Sequence, residues 1–245
     1  MAAGAFFGLA PFLAPAQFAS NAGFAGQDVF MYRLAGAATF AYAVGLAVGF
    51  QANWEGLRIP IAATATFNVA SIAACVAAML AGSPQPVVYL ILVASILFTA
   101  ATLYFLARPP PSRVTAQGPV RTMAPWIAAL FAIGVVAAAF FGLAALIAAG
   151  AFGQFVGYSG TDDFVYRQGG AATTGAALGG LLVLFSRRWE AARLPAVMAL
   201  AFNGLSVVAA ILDIAAGGPP IAGLILLAAA VVTVGMGAAL LRGGR

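Results

Sequence analysis

Two arginines, Arg33 and Arg167, stand in nearly the same local setting. One follows Asp28-x-Phe30-x-Tyr32, and the other follows Asp162-Asp163-Phe164-x-Tyr166. Each is expected about one turn inside the start of an apolar helix. A cation there opposes the helix dipole, and arginine is costly as it enters hydrocarbon. Two chemistries fit. In the first, the pair forms an outward-facing site for an anion or a lipid headgroup, with Asp28, Asp162 and Asp163 nearby. In the second, Asp28 and Asp162 cap their helices, while each arginine snorkels or donates to carbonyls of a neighbouring helix. Paired charge is the common state inside membranes, so the packing reading is preferred. On that reading removing one such charge-assisted bond, with its acceptors left buried, costs on the order of 1–3 kcal/mol.

A second polar set is Asn68 with Ser71, and Asn203 with Ser206. The i, i+3 spacing puts each pair on one helix face near mid-membrane. A midplane amide could hold a solute or ion, but no acidic partner at that depth supplies a cation site. The preferred role is an interhelical hydrogen bond of roughly 0.6–2 kcal/mol. Asp213 is the other acidic candidate. It is expected near a helix end, where it would reach solvent or, alternatively, take part in proton-linked chemistry.

What is missing excludes much chemistry. The 11 basic residues are all arginine, histidine is absent, and Cys75 is the single cysteine. Haem, zinc and copper sites want His or Cys ligands. A retinal Schiff base needs lysine, and a Ser-His-Asp triad needs histidine. No metal, catalytic residue or tightly ligated cofactor is therefore expected. Lipids, quinones or pigments held by contacts alone stay open. The net charge of +5 is spread over loop ends, which reads as membrane topology rather than a nucleic-acid footprint.

These residues need a membrane scaffold. The chain is 64% hydrophobic and 7% charged, with a mean hydropathy of +1.04, against about 25% charged residues in soluble domains. A duplication spans most of it. Phe6–Leu46 aligns with Phe140–Gly180 with 19 identities in 41 pairs, 14 of them not alanine. One residue is then inserted in the second copy. Trp54-Glu55, Arg58, Pro60, Asn68, Ser71 and Pro84 next match Trp189-Glu190, Arg193, Pro195, Asn203, Ser206 and Pro219. Asp213 breaks the symmetry, because its counterpart is Ala78.

The expected fold is all-α: a polytopic membrane protein of eight spanning helices, arranged as two parallel four-helix units. Apolar runs place the helices at about 3–20, 29–50, 58–81, 86–107, 125–150, 164–185, 194–215 and 220–241. The units are residues 1–107 and 124–245, joined by a polar, proline-rich linker over 108–123. An even number of spans per unit relates the copies by an axis along the membrane normal. Gly45-x-x-x-Gly49 and Gly175-x-x-x-Gly179 suit close helix packing.

Arginines cluster in alternate loops: Arg58; Arg108, Arg113 and Arg121; Arg187, Arg188 and Arg193; and the tail. The positive-inside rule puts those loops and both termini in the cytoplasm. Trp54, Trp126 and Trp189 fall at the same interface and are expected as aromatic anchors. Glu55 with Arg58, and Glu190 with Arg193, have the spacing of local ion pairs. Pro60 and Pro195 are expected in the first turn of the next helix.

The glycine- and proline-rich first segment, followed by Tyr-Arg-x-x-Gly-Ala-Ala at Tyr32–Ala38 and Tyr166–Ala172, resembles the DoxX-like and related four-helix bacterial membrane proteins. That resemblance implies the four-helix unit and a bacterial inner-membrane location, but carries no catalytic residue. The expected function is a non-enzymatic structural or accessory subunit, partnered by membrane lipids and by other membrane subunits or its own copies, without nucleic acid. A carrier or channel for a small neutral or anionic solute, using Arg33, Arg167, Asn68 and Asn203, is the alternative. A lipid-modifying enzyme ranks below both.

Overall fold

The computed structural model describes residues 2–82, 84–110 and 121–244, with side chains from Gly4 onward. Ten α-helices account for nearly all of it: α1 (Ala2–Leu13), α2 (Pro15–Ala22), α3 (Val29–Val48), α4 (Trp54–Leu80), α5 (Pro86–Ala107), α6 (Pro125–Ile147), α7 (Ala149–Phe155), α8 (Asp163–Ser186), α9 (Trp189–Ala215) and α10 (Ile221–Leu241). Among the described residues there is no sheet, only one isolated antiparallel bridge, Thr122 to Arg188.

Seven helices, α3–α6 and α8–α10, are long and apolar enough to cross a membrane. The expected first span is not one of them. It breaks at Ala14 (φ −132°, ψ 61°), leaving a 12-residue α1 and an 8-residue α2. Twelve residues rise only about 18 Å, short of a hydrocarbon core about 30 Å thick. Proline is not the cause. The aligned residue Ala148 breaks α6 from α7 at nearly the same angles (φ −127°, ψ 53°), and it is followed by Ala149.

The expected cytoplasmic turn also shifts. Helix α4 starts at Trp54, where the Asn53 side chain accepts the Gly56 N–H at 3.1 Å, and α9 starts at Trp189. Arg58, Pro60 and Pro195 therefore lie inside helices rather than in a loop or a first turn. Each proline removes one ladder donor.

Packing joins helices within each half and also crosses between the halves. The largest helix interfaces are α6 on α8, α4 on α8, α9 on α10, α1 on α3, α4 on α5 and α3 on α9. The chain neighbours α3 and α4 barely meet, and neither do α8 and α9. Aligned residues make aligned contacts. Gly45 faces Met198 across α3 and α9, and Gly179 faces Ala63 across α8 and α4. Gly8 meets Gly36, and Gly142 meets Gly170, at backbone-to-backbone distance. Helices α3 and α8 touch at Ala35 and Gly169, which the repeat aligns with each other. Their N-terminal ends lie together at one end of the bundle, and that end holds the residues singled out for chemistry.

Candidate functional site

Asp28 and Asp162 occupy the N-cap positions of α3 and α8, yet neither side chain caps its own helix. Each reaches into the other half. Asp28 accepts the Ser159 N–H at 2.8 Å, the Ser159 hydroxyl at 2.8 Å, the Gly160 N–H at 2.9 Å and the Tyr166 hydroxyl at 2.8 Å. Asp162 accepts the Ala25 N–H at 2.9 Å, the Gly26 N–H at 2.8 Å and the Tyr32 hydroxyl at 2.9 Å. The partners are aligned residues exchanged between halves. The capping expectation fails because the facing loop and helix together offer three or four converging donors, where a cap would engage one N–H. Buried carboxylates need such partners, and Asp28 and Asp162 are 4% and 6% exposed.

Glycine makes the loops possible. Gly26 (φ 70°) and Gly160 (φ 67°) are left-handed, a conformation costly for residues with a Cβ. Gly160 also lies against the Gly150 carbonyl, where a methyl group would be 2.5 Å from that oxygen. Aromatic rings repeat the exchange: Phe24 stacks on Phe164 (5.8 Å), and Tyr158 stacks on Phe30 (5.6 Å).

Asp213 is not a solvent-reaching group. It is 9% exposed and accepts the Tyr158 hydroxyl at 2.7 Å. Burial first, and then this bond to Asp213, pushes the Tyr158 hydroxyl well above the ordinary tyrosine range, so it stays protonated and donates. The first half has Phe24 and Ala78 in the aligned places, so the bond exists once. The repeat's mismatch at Asp213 was the signal for it.

The arginines do not behave as the packing reading requires. Arg33 and Arg167 are half-buried, and the Nε of each is buried without an acceptor among the described residues. Arg167 reaches the exposed Asp163 at 3.3 Å. Among the described residues Arg33 forms no ion pair.

The midplane amides also turn to their own helices. Asn68 donates to the Thr64 carbonyl at 2.7 Å, Asn203 to the Ala199 carbonyl at 2.8 Å, and Ser206 to the Phe202 carbonyl at 2.8 Å. A carbonyl one turn earlier is always within reach of a mid-helix polar side chain. Of these four residues Ser71 alone bridges helices, donating to Gln168 Oε1 at 2.7 Å and accepting from Ser95 at 3.0 Å. Gln168 and Ser95 were not singled out by the sequence pattern. Their signal was again asymmetry: the repeat aligns them with Leu34 and Ala230.

At the opposite end, Trp189 is buried at 2% exposure, packed among Met123, Ile127 and Met236, and is no interface anchor. The segment after the linker pins it: Trp189 N–H donates to the Arg121 carbonyl, and Met123 N–H to the Arg187 carbonyl, each at 2.9 Å. Trp54 and Trp126 are half-buried, as an anchor can be. The local ion pairs are replaced by distant ones. Glu55 pairs with Arg188 and Glu190 with Arg121, both at 3.3 Å. Arg113 lies outside the described residues.

Among the described residues no group of three or more His, Cys, Asp or Glu side chains could hold a metal ion. Comparison with protein-family models, with curated proteins and with solved structures found no match.

Proposed function

We propose that this chain is a non-enzymatic accessory or structural subunit of a bacterial cytoplasmic membrane, built as two interlocked copies of one four-helix unit, and that it assembles with other membrane subunits or with copies of itself. The observation that supports this reading is the exchange at Asp28 and Asp162. The acidic residues buried at this end, Asp213 included, are occupied by tyrosine, serine and backbone donors, an arrangement suited to holding helices in place. The outer helices α5 and α10 present apolar side chains such as Leu97, Leu103, Leu227 and Val234 outward, a surface for lipid or for neighbouring helices. In this reading α1 with α2 takes the place of an eighth, broken segment. The end bearing Arg121, Arg188 and Arg242 faces the cytoplasm.

Purification into native nanodiscs tests the assignment. Another membrane subunit, or further copies of the chain, should co-migrate in fixed ratio. Arg33, whose buried Nε lacks an acceptor among the described residues, favours one rival, a carrier for a small anion. A lone chain supporting saturable anion uptake in liposomes, lost on Arg33→Gln at unchanged stability, would install that rival instead.

A further inference from the structure

A cavity of about 130 Å³ lies between α1 and α5, with its floor on α3, α4 and α8. That is close to the size of hole that accepts a single six-membered ring. Helices α1 and α5 form the two walls and share no substantial interface with each other, so the mouth opens sideways at membrane depth. Ser95 is the tenth of the 22 residues of α5, which sets the polar floor near the bilayer midplane.

The walls are aromatic and aliphatic, and the floor carries Asn68, Ser71, Ser95 and Gln168. Three of these are buried: Ser71 at 1%, Ser95 at 4% and Asn68 at 6% exposure. Their mutual bonds leave capacity on both sides. Asn68 uses its Nδ2 on Thr64, and its Oδ1 can still accept. Gln168 accepts through Oε1 from Ser71, while its Nε2 makes only long contacts, 3.5 Å to the Ser71 carbonyl and 3.7 Å to Cys75 Sγ. The set has no formal charge.

The aligned place in the other half is different. Leu34 stands for Gln168 and Ala230 for Ser95. There Leu34, Phe202, Leu205 and Ile225 pack into an apolar cluster. The other half keeps the aligned Asn203 and Ser206, each bonded within its own helix, so the bridging pair Gln168 and Ser95 is what sets this cavity apart, and a polar pair at mid-membrane costs stability unless satisfied.

We infer that this cavity is a lateral binding site for a neutral, membrane-dissolved alcohol. A hydroxyl both donates and accepts, which matches an open acceptor on Asn68 beside an under-used donor on Gln168. The apolar body lies between Phe7 and Phe98 and extends into lipid. An anion has no cation to meet here, and a plain hydrocarbon leaves the polar floor unmatched.

Photolabelling of the full chain in nanodiscs tests this, with a diazirine-bearing hexadecanol and the same diazirine-bearing chain lacking the hydroxyl. The alcohol should label α1, α4 or α5 peptides around the cavity about fivefold more than the alkane does, the size of one neutral hydrogen bond. Gln168→Leu should erase that preference, and Ser95→Ala should weaken it. Leu34→Gln in the other half should leave it unchanged. Thermal unfolding of each variant checks that the fold persists. Equal labelling by the alkane, absence of labelling by the alcohol, or a preference that survives Gln168→Leu in folded protein would each overturn the site.

Discussion

Tyr32 and Tyr166 each donate to a buried carboxylate of the opposite half, and hydrogen bonds to a charged group contribute about 1.5–3 kcal/mol. Tyr166→Phe should therefore lower stability by about that amount, and Tyr32→Phe by a similar one, measured by denaturant unfolding in detergent. Arg33→Gln should change it by less than about 0.5 kcal/mol, because its buried Nε holds no acceptor among the described residues. Arg167→Gln removes one pair to an exposed carboxylate and should stay in the same small range. An arginine effect as large as the tyrosine effect would return the arginines to the packing role. Tyr158 adds a pH dependence of known sign. Its hydroxyl is held above the usual range, so its stabilisation is complete below the ordinary tyrosine pKa of 10.0 and lost only as pH rises beyond it. Neutral solution should not loosen this bond on the tyrosine side, and Tyr158→Phe should reduce the loss of stability at alkaline pH, measured as a stability profile against the parent chain.

Helix α8 approaches α6 so closely that a methyl group on Gly170 would lie 2.6 Å from the Gly142 carbonyl oxygen. Backbone cannot yield as a flexible side chain can, so Gly170→Ala should cost roughly 1–3 kcal/mol as an overpacked contact. Gly204 in α9 meets nothing within 4 Å, and Gly204→Ala should be neutral or slightly stabilising by helix propensity. Thermal unfolding of the two variants side by side checks this. The broken first segment carries a second expectation. The break recurs at Ala148 without a following proline, so Pro15→Ala should leave α1 and α2 at their present angle. Spin labels at positions 6 and 20 should keep their separation, and a lengthened distance would make Pro15 the cause.

The two halves are tied to each other by exchanged contacts: α3 with α9, α4 with α8, and each aspartate with the other half's loop. Proteolytic cleavage within 111–120 should therefore leave residues before and after the cut co-migrating in mild detergent, with nearly unchanged unfolding. Separation of the pieces on cleavage would show that each half packs mainly on itself.

The sequence by itself determined the class of molecule. Its apolar runs and scarcity of charge require an all-helical membrane protein, since a backbone in lipid must satisfy its own hydrogen bonds. The repeat marked the residues that recur, including both aspartates, both tyrosines and the glycines of their loops. It could not say to which half each side chain points. Asp28 reads equally well as a cap for α3 or as an acceptor for a distant loop. That choice rests on how many donors converge from chain more than 130 residues away. The same limit hid the burial of Trp189, the bond between Tyr158 and Asp213, and the polar floor beside Gln168. Spacing along one helix gives the face a residue occupies, and only the assembled bundle gives what that face meets.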